Sequence, residues 1–149
     1  MSRSRIQWGL LLSTLSLHVQ SLNPSIINLS SAAGRMGFAM RTPYAAAKWG
    51  VIGLTKSLAI ELGEFGIRVN AVLPGIVSGS RQKAVLEEKA KAKKRSYNDV
   101  EAEALSYSSI KEYVSPVDIA NQILFLANDT GRMVSGQAIS VCGDLKMLS

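Results

Sequence analysis

Residues 25 to 75 read SIINLSSAAGRMGFAMRTPYAAAKWGVIGLTKSLAIELGEFGIRVNAVLPG, and their order of elements decides the fold class. Ser25 to Leu29 is a short apolar run after the Asn23-Pro24 turn, and its pattern predicts a strand. Ala33 to Arg41 reads as a glycine-containing loop. Thr42-Pro43 then opens a helix running to about Gly63: Thr42 can cap it, Pro43 suits its first turn, and Val51, Leu54, Leu58 and Leu62 recur at helical spacing. Gly66 ends the linker, and Ile67 to Leu73 forms a second strand. Strand, crossover helix and strand make a parallel pair with a right-handed connection, the unit of an α/β fold.

This stretch also carries the chemistry. Tyr44 and Lys48 stand four residues apart, so on a helix they share a face. A free tyrosine titrates near pH ~10 and is a poor base at neutrality. A cation close by favours the ionised phenol, which makes Tyr44 a candidate general acid and base. Ser31, thirteen residues before Tyr44, stands just beyond the first strand and offers a hydroxyl to a carbonyl or alkoxide oxygen. Neighbouring strand residues face opposite ways, so only one of Ser30 and Ser31 can point at that site. The plainer alternative is a strand end, an amphipathic tyrosine and a solvated lysine.

The segments NLSSAAG, YAAAKWGVIGLTKSLAIELGEFGIRVNAVLPG and SPVDIANQILFLANDTGRMVSGQAISVCG resemble the short-chain dehydrogenase/reductase family over roughly Ile26 to Gly143. The resemblance implies hydride exchange between NAD or NADP and an alcohol or carbonyl carbon. It assigns Ser31 as donor to the substrate oxygen, Tyr44 as the group that gives and takes the proton, and Lys48 as the residue that tunes Tyr44 and holds the nicotinamide ribose. Pro74, Gly75, Ile76 and Val77 match the turn whose backbone lies against the nicotinamide. It further implies a homo-oligomer, a dimer or a tetramer. Family members usually carry Thr two residues beyond Val77, where this chain has Gly79 between Ser78 and Ser80.

Dinucleotide folds hold the pyrophosphate on a glycine-rich turn that opens the first helix. Met1 to Asn23 contains one glycine, Gly9, and no such turn. The family's asparagine on the helix before Ser31 would fall near Arg3, which cannot take its role. The expectation is therefore a partial Rossmann-type, doubly wound parallel sheet, the C-terminal half of a short-chain dehydrogenase/reductase domain. Its single domain, 1–149, divides into an atypical N-terminal helix (1–23), a catalytic strand-helix-strand (24–77), a substrate lid (78–114) and a C-terminal helix and strand (115–149). A truncated, non-catalytic fragment that serves as an oligomerisation or interaction module is the alternative function.

The 149 residues are 47% hydrophobic and 19% charged, with a net charge of +6, a composition of ordinary globular type. Much of the positive charge lies between Arg81 and Arg95. A solvated lid face accounts for it better than nucleic-acid binding, since neither a recognised motif nor interleaved aromatics accompany it. Arg3 and Arg5 before the apolar run Ile6 to Leu17 superficially imitate a secretory signal, but polar interruptions and the lack of a small-residue cleavage site favour a packed helix. That run is too short and polar to span a bilayer. The single Cys142 excludes an intrachain disulfide, fits a cytoplasmic location, and reads as a buried small hydrophobe. Lone His18 lacks metal-ligand companions. Ser115-Pro116-Val117-Asp118 opens a helix with Ile119, Ile123, Leu124 and Leu126 inward, ended by Asn128 to Gly131, and Ala138 to Val141 is the last strand.

Overall fold

The computed structural model describes residues 23–146. The expected helix over residues 1–23, with Arg3 and His18, lies almost entirely outside that range. Among the described residues one sheet forms from β1 (Ser25–Leu29), β2 (Arg68–Pro74) and β3 (Ala138–Val141), all parallel, in spatial order β1-β2-β3. Leu29 lies beside Val72 and Pro74 beside Val141. The carboxyl ends of the strands therefore share one edge, where open α/β sheets place their ligands.

Central β2 is buried on both faces, which explains its nearly continuous apolar sequence. Its odd residues Val69, Ala71 and Leu73 meet Ile52 and Leu62 of helix α1 (Thr42–Gly63). On the other face Arg68 reaches helix α4 (Pro116–Ala127), its guanidinium donating to the Leu126 carbonyl at 2.6 Å, and Asn70 donates to the Val134 carbonyl at 2.8 Å. Leu73 and Leu126 are both fully buried, and each contributes about 1.5–3 kcal/mol relative to exposure. Helices α2 (Ser80–Lys93) and α3 (Tyr97–Ser106) form a hairpin between β2 and α4.

Arg68 ties this architecture at the end of the sheet remote from the carboxyl edge. Besides Leu126 it donates to Asn23 Oδ1 at 2.7 Å and to the Gly131 carbonyl at 3.0 Å. Burial lowers its pKa, and nearby Asp129 opposes that effect. The Leu126 and Gly131 carbonyls lie at the end of α4 and just beyond it, so the cation also stands where a helix terminus favours positive charge.

Several expectations change in detail. Strand β2 runs one residue later than Ile67–Leu73. The loop over 33–41 begins with a 3-10 turn, Ala32–Gly34, capped by Ser31. Arg41, not Thr42, is the cap residue of α1, and no side chain bonds there. The inward face of α1 buries Ile52, Thr55 and Leu62, with the expected Leu58 packed beside Leu62, whereas the expected Leu54 is 53% exposed. Thr55 is accommodated because its hydroxyl donates to the Val51 carbonyl at 2.7 Å and accepts from Asn28 Nδ2 at 3.0 Å. In α4, Leu126 is buried but Leu124 is exposed. The predicted start of α4 stands: Ser115 and Asp118 form a reciprocal capping box.

Candidate active site

The chain leaves β1 through Ser30 and Ser31, and the two hydroxyls part company. Ser30 is buried, and its Oγ donates to the Lys48 carbonyl at 2.7 Å. Ser31 turns outward in extended conformation, and its Oγ accepts from the Ala33 amide at 3.2 Å. Its own proton has no acceptor among the described residues, so the Ser31 hydroxyl is free to donate.

Three residues on, Gly34 lets the loop close on α1. A Cβ there would stand 2.7 Å from Ser30 Oγ, 2.8 Å from the Lys48 carbonyl oxygen and 2.9 Å from Ile52 Cδ1. Only glycine allows so close an approach. The strand end is thereby pressed against the helical turn that carries Lys48.

On that turn Lys48 Nζ donates to the Leu29 carbonyl at 3.0 Å and lies 5.7 Å from the Tyr44 ring centroid. That distance is within cation–π range. An ammonium has three donors, so two remain for other acceptors. Tyr44 is 38% exposed, and its hydroxyl has no hydrogen-bond partner among the described residues. Phe38 meets its ring edge-on at a centroid distance of 6.4 Å. Sequence reasoning did not single out Phe38, since its approach depends on a loop path that spacing does not reveal. The helix start holds Tyr44 and Lys48 together, and Gly34 brings the strand end of Ser31 alongside.

Across the carboxyl edge, Pro74, Gly75, Ile76 and Val77 continue β2. The Gly75 amide donates to the Val141 carbonyl at 2.9 Å, and a Cβ on Gly75 would stand 2.7 Å from Cys142 Cα. Cys142 is thus a close-packed partner of the turn, buried as its sequence predicts. The Ile76 carbonyl accepts from the Val114 amide at 2.9 Å, while the Ile76 and Val77 amides have no acceptor among the described residues. Two unpaired main-chain donors here, and two on Lys48, are left for acceptors outside the described residues.

Among the described residues no group of three or more His, Cys, Asp or Glu side chains could hold a metal ion, and no helix is long and apolar enough to cross a membrane.

A parallel sheet whose carboxyl edge gathers free donors beside a Tyr-Lys helix start defines a dinucleotide-fold α/β protein. Comparison with known proteins sharpens that class. The enoyl-(acyl carrier protein) reductase family model matches residues 10–144. The chain is 38% identical over 123 residues to 3-oxoacyl-[acyl-carrier-protein] reductase FabG of Staphylococcus epidermidis, covering 83% of this chain and 46% of that protein. It is 38% identical over 138 residues to the (2S)-[(R)-hydroxy(phenyl)methyl]succinyl-CoA dehydrogenase subunit BbsD of Thauera aromatica, covering 91% and 51%. Among solved structures, a variant actinorhodin polyketide ketoreductase with NADPH superposes with a TM-score of 0.80 at 32% identity, over 93% of this chain and 52% of that one. The chain belongs to the short-chain dehydrogenase/reductase family. It spans about half the length of the curated relatives it matches.

Proposed function

We propose that this chain carries the catalytic half of an NAD- or NADP-dependent oxidoreductase acting on an alcohol or carbonyl substrate, with Ser31, Tyr44 and Lys48 as its working residues. The observation that carries the reading is the division of labour at the strand end: Ser30 is spent on packing against the Lys48 turn, the Ser31 proton is left free one residue on, and on that turn an ammonium lies near the Tyr44 ring. A purely structural strand end needs no unsatisfied hydroxyl.

The nicotinamide, when bound, supplies or accepts the hydride. In the direction of reduction Ser31 donates to the substrate oxygen and holds it in place. Tyr44 gives its proton to that oxygen as charge develops on it. The Lys48 cation stabilises the phenolate left behind, and its remaining donors hold a ribose hydroxyl. Ile76 and Val77 offer their amides to the carboxamide, with Pro74 and Gly75 shaping the turn. In oxidation the same groups run in reverse, with Tyr44 as base.

The relatives named above include a 3-oxoacyl-[acyl-carrier-protein] reductase and a polyketide ketoreductase with NADPH, which supports a small carbonyl or alcohol substrate. A homo-oligomer, dimer or tetramer, and a cytoplasmic location complete the proposal. A second reading, a non-catalytic interaction module, draws support from apolar residues on the outer sides of the helices: Trp49, Leu54 and Ile60 of α1 are 51%, 53% and 83% exposed. Calorimetric titration with NADH and NADPH separates the two. Micromolar binding supports the oxidoreductase; no heat from folded protein contradicts it and favours the module.

A further inference from the structure

The helix that carries Tyr44 does little to aim it. Tyr44 is the third residue of α1, and helical side chains lean toward the N-terminus, over the turn before their own. For Tyr44 that turn is missing: Met40 is left-handed, with φ +63°, and Arg41 is the cap residue. The Tyr44 hydroxyl bonds nothing among the described residues, so no hydrogen bond fixes it either. The direction of the phenol depends on what touches its ring.

Two groups do so. Lys48, one turn further along the helix, brings its Nζ to 5.7 Å from the ring centroid. From the loop, the Phe38 ring stands at 6.4 Å with 71° between the planes, the edge arrangement that aromatic pairs favour.

The backbone of Phe38 is fastened to the same helix. The Arg41 amide donates to the Phe38 carbonyl at 3.1 Å, and the Arg41 carbonyl accepts from the Ala45 amide at 2.9 Å. One residue thus closes the loop turn and begins α1. The Arg41 guanidinium lies 6.0 Å from the Phe38 ring centroid, at the outer edge of cation–π range. Trp49 Nε1 donates to the Met36 carbonyl at 3.4 Å and ties the loop to α1 a second time. Two cations therefore bracket two rings, in the order Arg41, Phe38, Tyr44, Lys48.

Core packing does not account for Phe38. It is 40% exposed and belongs to none of the buried clusters. Its one aromatic contact among the described residues is Tyr44.

We propose that Phe38 is a positioning residue, whose edge contact holds the Tyr44 side chain in one rotamer and so aims the phenol. That the aimed phenol is the working acid rests on the oxidoreductase reading; that Phe38 aims it does not. An acid must stand within hydrogen-bond reach of the oxygen it protonates, and small misplacements are costly in rate.

NMR of the full chain, labelled in tyrosine with carbon-13 and nitrogen-15, tests this without turnover. Three-bond couplings from Tyr44 Cγ to its backbone nitrogen and carbonyl carbon report the rotamer. The parent and Phe38→Tyr, which keeps a ring at 38, should show one rotamer; Phe38→Ala should show an average, with circular dichroism confirming the fold of each. In NADPH-dependent reduction of a small ketone, kcat of Phe38→Ala should fall about tenfold with KM within about twofold, and Phe38→Tyr should recover most of that loss. Averaged couplings in the parent or in Phe38→Tyr overturn the proposal, as do parental couplings in Phe38→Ala or a loss carried by KM alone. A folded parent without turnover contradicts the oxidoreductase reading, and the couplings still decide for or against Phe38.

Discussion

The Ser30 hydroxyl donates to the main-chain carbonyl of Lys48 at 2.7 Å, which couples the end of β1 to the helical turn that carries the ammonium. Its neighbour Ser31 keeps its proton. Two adjacent serines therefore have opposite duties, and substitution should separate them.

Ser30→Ala should cost about 1–2 kcal/mol of unfolding free energy, measured by denaturant titration, because it removes a hydrogen bond from a buried site. Ser31→Ala should leave stability within about 1 kcal/mol, the scale of a lost cap. Turnover in Ser31→Ala should fall about 10²–10³-fold, as expected when a donor to a developing oxyanion is removed. Equal loss of turnover in both variants would contradict the division.

Gly34→Ala and Gly75→Ala should each destabilise by about 1–3 kcal/mol through overpacking. A new methyl at 34 meets Ser30 Oγ and the Lys48 carbonyl, and one at 75 meets Cys142 Cα. Gly79→Ala meets no neighbour, so its cost should be backbone strain alone, about 1 kcal/mol. Thermal or chemical unfolding checks all three.

Arg68→Ala should be the most destabilising of the substitutions considered, by more than about 2 kcal/mol. It empties a buried site and strips the Leu126 and Gly131 carbonyls of a donor. Arg68→Lys should recover only part of the loss, because an ammonium lacks the planar fork that reaches Asn23 and both carbonyls together. Chemical denaturation of the two variants gives the order.

Glu103 has its pKa lowered by hydrogen bonds to Lys93 first and Arg95 second. A depressed carboxylate contributes stability above its unfolded value, near pH ~4.3, and loses that contribution as pH falls through the lowered folded value. A carbon-detected NMR titration of the Glu103 carboxyl should therefore show a midpoint below the ordinary range. Lys93→Met should move that midpoint upward.

Much of this fold was legible because strands and breakers announce themselves locally. Ser25–Leu29, Ala138–Val141 and the helix from Thr42 to Gly63 fall where the apolar runs, Pro43 and Gly66 place them. Only part of the inward face of α1 was legible. Of Val51, Leu54, Leu58 and Leu62, Leu62 is buried and Leu58 packs on its cluster, whereas Leu54 is exposed and the helix also buries Ile52 and Thr55, the latter because Asn28 supplies its partner from β1. A buried threonine reads as polar until that long-range contact exists. At the site, the Tyr44–Lys48 pairing follows from helical spacing alone, and one outward serine follows from strand alternation. Which serine it is depends on the Lys48 carbonyl, a tertiary fact. Tyr97 and Glu101 stand one helical turn apart, but the Tyr113 bond to Glu101 and the Arg68 node join residues too far apart in sequence for periodicity to relate them.

The most direct test follows NADPH absorbance during reduction of a small ketone by the parent chain and by Tyr44→Phe, with circular dichroism confirming the fold of each. The phenol oxygen bonds nothing else among the described residues, so the variant should stay folded while turnover falls at least about 10²-fold, the usual worth of a positioned acid. Turnover in Tyr44→Phe equal to the parent's, or a folded parent with none, would contradict the account.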